Sequence, residues 1–255
     1  MNTDKLFFKK SDLSDKLEDI VATLRQHGLV LVPDFFNDQE ISDLDSELKS
    51  VFDTLELKDI AGFDGGPPKV RGGQYPPGKA LLIHPPSYHR FPHIINLFMD
   101  NSFLNKVVDS YYSGPCNKFM QVFTYHDTLL RDEGWIDGIT HSSALHFDPY
   151  QSLKFGGYLT DTSRQNAMTR IVPGSQWEGK HLRENVLKET LWKGTPILDC
   201  HKHFKKSKYT EEDAVCPVVS AGTLVIFDTD CWNGGGEILE KGLERKLILF
   251  HNRAH

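Results

Sequence analysis

One histidine and one aspartate stand two residues apart in a stretch with the pattern of a β-strand. His146 and Asp148 lie in the segment SALHFDPY, residues 143–150. In a strand, residues i and i+2 project from the same face, with Cα atoms about 7 Å apart. One imidazole and one carboxylate on a rigid strand supply two ligands of the 2-His-1-carboxylate arrangement, which binds non-haem iron and leaves positions open. The same pattern also fits a purely structural pairing of a His with a carboxylate.

Short β-like runs after Gly114 would hold this pair in place. They cover residues 119–125, 143–150, 153–161, 169–174, 216–220, 223–230 and 246–251. Turn residues separate the runs at intervals typical of a β-sandwich or barrel. We therefore expect a mainly β protein with flanking helices, in which helices pack on an antiparallel β-sandwich within one domain, 1–255.

The part before residue 114 is predicted to be mainly helical, with a helix from Ser14 to a stop at Gly28 and a short strand at 29–36. Asn37 and Glu40 have the spacing of a capping box at the start of the next helix. A further helical stretch is predicted from about 93 to 112. The region Gly62–Gly78 is rich in Gly and Pro and is predicted to be an irregular loop.

Composition limits the kinds of protein that this chain can be. It has 255 residues, a formal net charge of −6 and four widely spaced cysteines. The charge argues against nucleic acid or an anionic membrane as a partner. No apolar run is long enough for a signal peptide or a membrane span, so a cytoplasmic protein with reduced thiols is expected. The fingerprints of dinucleotide-binding proteins and serine hydrolases are also missing.

Longer stretches around the His-x-Asp pair resemble one known family. In chain order they are LRQHGLVLVPDFFNDQEISDLDSEL, LHFDPYQSLKFGGYLTD, IVPGSQWEGKH and AGTLVIFDTDCWNGGG, followed by Arg245. Together they resemble the phytanoyl-CoA dioxygenase family over residues 20–253. The resemblance implies a double-stranded β-helix (a cupin-like jelly roll) with flanking helices, a non-haem Fe(II) centre and 2-oxoglutarate as cosubstrate.

The resemblance also implies roles for individual residues. His146 and Asp148 match the first two iron ligands of the family. Arg245 matches the arginine that pairs with the distal carboxylate of 2-oxoglutarate, a task that suits a planar guanidinium. Replacing Arg245 by Ala is thus expected to weaken cosubstrate binding and to leave the fold intact. By spacing alone, Arg245 also fits a plain surface charge.

At the family's third iron ligand, a histidine, this chain has Asn233. Five other side chains are candidates for this place, and none of them fits it on sequence grounds. His251 is six strand residues, about 20 Å, from Arg245, and His141 has the wrong strand parity relative to His146. The last three are His201 and His203, which lie in a lysine-rich segment typical of solvated loops, and Asp230, which would need a different register.

Three interpretations of Asn233 therefore stay open. Its amide oxygen, or a water in its place, completes a weakened but live centre. Alternatively, the chain keeps the pocket for metal-free binding or non-oxidative chemistry. The third interpretation is an introduced His-to-Asn change that inactivates an oxygenase.

Further pocket residues follow from strand parity and from proximity in the chain. Candidates for cosubstrate binding are Lys154 and Tyr158 on one strand face and Gln121 on the preceding strand, although each also fits an ordinary strand position. Candidates for substrate binding are Arg71 and Tyr75 in the glycine-rich region and Trp232, which equally fits core packing.

The resemblance implies oxidation of a C–H bond in a small-molecule metabolite, with O2 and 2-oxoglutarate consumed. Hydroxylation is the default outcome, while desaturation, epimerisation and ring formation are variants that these residues do not separate. Retention of Asp148 argues against halogenation, in which a halide takes the place of the carboxylate.

Overall fold

The computed structural model describes residues 3–74, 77–114, 116–134, 144–148, 150–186 and 197–254. Its strands are β1 (Leu29–Val32), β2 (Asp59–Phe63), β3 (Lys69–Gln74), β4 (Gly78–Ile83), β5 (Cys116–Asp127), β6 (Ser152–Tyr158), β7 (Arg170–Ile171), β8 (Leu224–Asp228), β9 (Asn233–Gly234) and β10 (Arg245–Ala254). Its helices are α1 (Leu17–His27), α2 (Asp38–Phe52), α3 (Pro92–Met99), α4 (Ser102–Tyr112), α5 (Arg131–Gly134), α6 (Gln176–His181) and α7 (Ile197–Phe204). Short 3-10 helices and one π-helical turn, Leu182–Val186, connect them.

The strands form a major and a minor sheet. The major sheet has eight strands in the order β1-β8-β6-β10-β5-β4-β2-β3, and β7 pairs with β9 in the minor sheet. The described pairings are antiparallel except for β2 with β4, which is parallel. The prediction of helices packed on a β-sandwich is confirmed, with this one parallel exception.

The two faces of the major sheet pack against different partners, because successive strand residues alternate in direction. Ile248 and Phe250 of β10 belong to the core between the sheet and helices α1 to α4. Leu247 and Leu249 of the same strand belong to the core on the opposite, inner face, together with Ile171 of the minor sheet. The inner face is therefore the interior of the sandwich, where Arg245 and His251 also lie by parity.

The first two helices form where the sequence predicts them. Gly28 ends α1 in the left-handed conformation, with φ +69°, which a side chain would strain. At the start of α2, Asn37 accepts a hydrogen bond from the Glu40 amide at 3.0 Å, and the Glu40 carboxylate accepts one from the Asn37 amide at 2.8 Å. The capping box is confirmed. The stretch 93–112 is instead two helices, because Asn101 caps a new helix at Ser102.

The glycine-rich region is more regular than predicted. The prediction of an irregular loop over Gly62–Gly78 is wrong, since β3 lies inside it. Gly65, with φ +77°, supplies the turn after β2, and β3 is the outermost strand of the sheet. An edge strand tolerates Gly and flanking Pro, because one of its sides needs no ladder partner. The part before residue 114 thus supplies four strands as well as helices.

Two segments that the sequence predicts to be strands are less regular in the structure. Residues 216–220 contain no strand, and the neighbouring Val215 makes only an isolated bridge to Ile171. Within 144–148, His146 alone has a β-bridge, to Asn233. The strand-like pattern around the His-x-Asp pair therefore corresponds to an extended segment added to the minor sheet.

No helix in the described ranges is both long enough and apolar enough to cross a lipid bilayer.

Candidate metal centre

His146 and Asn233 face each other as a backbone pair. The His146 amide donates to the Asn233 carbonyl at 2.9 Å, and the Asn233 amide donates to the His146 carbonyl at 2.7 Å. Two residues that exchange both hydrogen bonds in an antiparallel pair project their side chains from the same side. The backbone of Asn233 therefore places its side chain on the same side as that of His146, as a third ligand would require.

The imidazole of His146 is fixed by its own backbone. Nδ1 lies 2.7 Å from the Ala144 carbonyl, which can only accept, so Nδ1 carries the proton. The lone pair of Nε2 is then available to bind a cation. His146 is buried, and burial lowers its pKa, so the neutral form that metals require is the stable one.

Asp148 divides its two carboxylate oxygens between different neighbours. Oδ1 faces His146 Nε2 at 3.9 Å, and Oδ2 lies 2.8 Å from the Lys154 ammonium. The Asp148 amide donates to the Thr229 carbonyl at 3.1 Å, which fixes the backbone. The 3.9 Å gap is too wide for a hydrogen bond. Nε2 and Oδ1 therefore face each other without bonding, and a cation held here would have both as ligands.

The side-chain amide of Asn233 has a fixed orientation. Its Nδ2 points at three backbone carbonyls, those of Cys231 at 2.9 Å, His146 at 3.1 Å and Thr229 at 3.4 Å. An amide oxygen would be repelled there, so Oδ1 must lie on the other side. Oδ1 has no hydrogen-bond donor among the described residues and is the one neutral oxygen that Asn233 offers to a cation.

A third charged or imidazole ligand is not found in the described part of the chain. No other His, Cys, Asp or Glu there joins His146 and Asp148 in a group that could hold a metal. Asp230 is engaged by Arg183 through hydrogen bonds of 2.9 and 2.8 Å. His141 lies outside the described residues.

His201 lies closer to the centre than the sequence predicted. It is not a solvated loop residue: its Nδ1 lies 3.2 Å from the Leu145 carbonyl, next to His146, and its ring stacks on Phe204. The lowered pKa of His146 is caused mainly by burial, with Lys154 and His201 as smaller contributions in the same direction, while Asp148 and the hydrogen bond to the Ala144 carbonyl act against it. The lysine-rich composition hid this placement, because helix α7 turns His201 inward while the neighbouring Lys202 is exposed.

Arg245 is buried and paired inside the protein. Asp127 lies opposite it in the β10–β5 register, and its Oδ2 accepts from Arg245 Nε at 3.0 Å and from a terminal nitrogen at 2.5 Å. A second terminal nitrogen donates to the Ala167 carbonyl. Arg245 is therefore a sandwich-interior residue rather than a surface charge.

Sequence reasoning missed Asp127, although a signal was present. Gln121, Tyr125 and Asp127 share one face of β5 by parity, and the charges of Asp127 and Asp148 both raise the pKa of Tyr125, after burial. Tyr125 is thus within electrostatic range of both carboxylates. The two ion pairs border the same interior.

The other predicted pocket residues lie in different parts of the structure. Gln121 and Lys154 lie on the inner face, each opposite His251, while the hydroxyl of Tyr158 accepts from the Thr169 amide at 2.9 Å. Trp232 is fully buried between Phe147 and Phe204, with ring centroids 5.2 Å away on each side. Arg71 lies in edge strand β3, and Tyr75 is outside the described residues.

Comparison with known proteins agrees with this geometry. Residues 140–246 match the model of the phytanoyl-CoA dioxygenase (PhyH) family, a segment that contains His146, Asp148, Asn233 and Arg245. Over this segment the chain is similar to the phytanoyl-CoA dioxygenase family. It is also 22% identical over 234 residues to a "Phytanoyl-CoA dioxygenase domain-containing protein 1 homolog" of Dictyostelium discoideum, covering 83% of this chain and 82% of that protein.

Solved structures of similar shape show the fold of this chain. One is SnoK, a non-heme alpha ketoglutarate dependent carbocyclase from nogalamycin biosynthesis, with a TM-score of 0.61, 14% identity and coverage of 92% of this chain and 83% of that one. Another is HygX from Streptomyces hygroscopicus with nickel and 2-oxoglutarate bound, with a TM-score of 0.56, 15% identity and coverage of 91% and 85%. The predicted cupin-like jelly roll is confirmed.

Proposed function

We propose that this chain is an Fe(II)- and 2-oxoglutarate-dependent oxygenase whose metal is held by His146, Asp148 and the amide oxygen of Asn233. One observation carries the proposal. His146 Nε2, with its lone pair free, faces Asp148 Oδ1 across 3.9 Å. Asn233 supports it, since its amide nitrogen is occupied by carbonyls and its oxygen is left over.

The donor set fits divalent iron in type, with one imidazole nitrogen, one carboxylate oxygen and one neutral oxygen. The neutral amide in place of the family's imidazole would lower metal affinity. Iron with 2-oxoglutarate supplies activation of O2 for oxidation of a C–H bond. Lys154 would hold the second oxygen of Asp148 and keep the first one turned towards His146.

Arg245 would bind the distal carboxylate of 2-oxoglutarate from within the same interior. Its pairing with Asp127 orients the guanidinium but also partly neutralises it. The apolar residues Leu247 and Leu249, together with Phe123, line the inner face beside the site and would exclude water from the reacting atoms. Tyr158 and Gln121 would contribute hydrogen bonds to the cosubstrate.

The substrate we propose is a small-molecule metabolite, with hydroxylation as the default outcome. The carbocyclase among the similar structures supports ring formation as an alternative on the same fold. Arg71, Tyr75 and Trp232 stay candidates for substrate contact, and a cytoplasmic location stays an expectation.

A second candidate function is metal-free binding or non-oxidative chemistry in the same pocket. One observation favours it: the Lys154 ammonium lies 2.8 Å from Asp148 and neutralises the carboxylate without any metal. Asp127 likewise neutralises Arg245 without any cosubstrate. In this alternative the role of Asn233 is structural, because its side-chain amide nitrogen donates hydrogen bonds to three backbone carbonyls.

Fe(II)-dependent conversion of 2-oxoglutarate to succinate by the purified protein tests the proposal. The wild type should form succinate only when iron is added, and His146→Ala should form none, because the imidazole ligand is lost. His89→Ala is a matched control, since His89 is exposed and far along the chain from the centre. Turnover that persists in folded His146→Ala, or is absent from the wild type at saturating iron, would favour the metal-free alternative.

A further inference from the structure

His251 is a buried imidazole whose Nε2 has no hydrogen-bond partner in the part of the chain that the structure describes. It is 5% exposed and lies on the inner face of β10, with its ring 5.1 Å from that of Phe123. Buried polar atoms are nearly always paired, so an unpaired one indicates a missing partner. The imidazole is neutral, because burial and two nearby cations lower its pKa well below the usual value.

The two cations near His251 are Lys154 and Arg253. Lys154 lies directly opposite His251 in the β10–β6 register, and Arg253 follows two residues later on the same face. Cross-strand partners and i, i+2 neighbours bring their side chains to one end of the sandwich interior. Three side chains that donate hydrogen bonds therefore meet at this end.

Arg253 brings a guanidinium that no carboxylate neutralises among the described residues. It stacks over the ring of Tyr150, with the guanidinium carbon 4.4 Å from the ring centroid. The aromatic contact orients the planar group and leaves its N–H edges for a ligand. Lys154 is already paired with Asp148, so this group of three residues has one positive charge in excess.

We propose that His251 and Arg253, flanked by Lys154, form an anion-binding subsite that holds a carboxylate or phosphate group of the substrate at one end of the sandwich interior. Arg253 supplies a forked pair of donors, and neutral His251 supplies one further N–H from the buried side. The subsite differs from the Arg245 position, which lies six residues away along β10. Its identity as a substrate subsite rests on the proposed function, but the binding of an anion does not.

Calorimetric titration of the metal-free protein with inorganic phosphate, and separately with acetate, tests the subsite. Saturable binding to the wild type is expected, and Arg253→Gln and His251→Gln should each weaken it about tenfold, as for loss of a charge-assisted hydrogen bond. Arg90→Gln is a matched control: Arg90 also lies over an aromatic ring, that of Phe63 at 5.8 Å, but on a different element. Circular dichroism checks that each variant is folded.

NMR of the protein with labelled histidine rings adds a readout that does not depend on stability. The imidazole signal that disappears in His251→Gln should shift when phosphate is added to the wild type. Tighter binding of phosphate than of acetate would indicate a phosphorylated substrate, and equal binding a carboxylate.

Absence of saturable binding to the wild type, or undiminished binding by Arg253→Gln, would overturn the proposal. Because no metal or 2-oxoglutarate is present, this outcome is independent of the outcome of the succinate assay.

Discussion

Two charged residues of the candidate centre, Asp148 and Arg245, each form an ion pair with another residue of the chain. Lys154 lies against Asp148, and Asp127 lies against Arg245. Iron bound to Asp148, or 2-oxoglutarate bound to Arg245, would therefore share that residue with its ion-pair partner. Sharing is possible because Asp148 keeps its Oδ1 towards His146 while Oδ2 binds Lys154. The charges of Asp148 and Arg245 are thus balanced by other residues of the chain itself.

The Arg245–Asp127 pair makes a prediction about stability. Arg245→Ala should lower the free energy of unfolding by about 3–5 kcal/mol, because it leaves a buried carboxylate without its partner. This prediction differs from the sequence-based expectation of an intact fold, while weaker 2-oxoglutarate binding is still expected. Denaturant unfolding of Arg245→Ala, Asp127→Ala and the double variant measures the coupling.

The double variant should lose less stability than the sum of the single ones, since both charges are then gone. Lys49→Ala, which breaks an exposed ion pair with Asp53, should change stability little. Arg245→Ala with wild-type stability would show that the buried pair does not contribute to the fold.

Elements with a repeated pattern were predictable from sequence, and those held only by tertiary contacts were not. Helix α2 has both its periodicity and its cap in the sequence, so its start was found to the residue. Strand β9 has two residues, too few for any alternation, and exists because β7 and His146 pair with it. Strand β3 was missed because its glycines suggest a loop, whereas an edge position tolerates them.

The cap of α2 makes a prediction at this scale. Asn37→Ala should lower the free energy of unfolding by about 1 kcal/mol, because the Glu40 amide loses its acceptor. Asn37→Asp keeps an acceptor at the same place and should retain the stability. Thermal or denaturant unfolding measures both. Equal stability of Asn37→Ala and the wild type would mean that solvent replaces the cap at no cost.

Across the whole molecule, a buried polar cluster ties the helical layer to the sandwich. The Tyr111 hydroxyl of α4 donates to Asp228 at 2.5 Å, and Asp230 accepts from Arg183 beyond α6. The Asp230 amide also donates to Asp228. Two neighbouring carboxyl groups in one buried cluster are unfavourable when both are ionised. Burial raises the pKa of both, that of Asp230 to about 6.

Stability should therefore depend on pH through Asp230. A carboxyl whose pKa is raised on folding stabilises the protein below its unfolded value, near 4, and this contribution is lost as the pH rises through about 6. Relative to Asp230→Asn, the wild type should lose up to about 3 kcal/mol between pH 4 and pH 7. Denaturant unfolding of both proteins at several pH values measures the difference.

Asp53→Asn is a control that should show no such change between pH 4 and pH 7, because hydrogen bonding to Lys49 lowers the pKa of the exposed Asp53 carboxyl and its titration lies below this range. A wild-type-to-Asp230→Asn difference that stays constant from pH 4 to pH 7 would contradict the raised pKa.

Of the candidate site, the sequence alone predicts only the residues that belong to recognisable local motifs. The His-x-Asp spacing and the family resemblance pointed to His146, Asp148, Asn233 and Arg245, and all four lie in the segment that matches the family model. The partners Asp127 and Lys154 come from other strands. Sheet register brings them to Arg245 and His251, and register is not readable from one sequence without knowing which strands pair.

The central claim is that a centre with Asn233 as its third donor still binds iron and 2-oxoglutarate. Anaerobic titration with Fe(II) in the presence of 2-oxoglutarate, followed by the visible charge-transfer absorption of the chelate, tests it most directly. We predict the band in the wild type, the same band at lower iron concentration in Asn233→His, and no band in folded Asp148→Ala. A band in Asn233→His with none in the wild type at saturating iron would contradict the claim. That result would show that Asn at position 233 prevents the centre from binding iron.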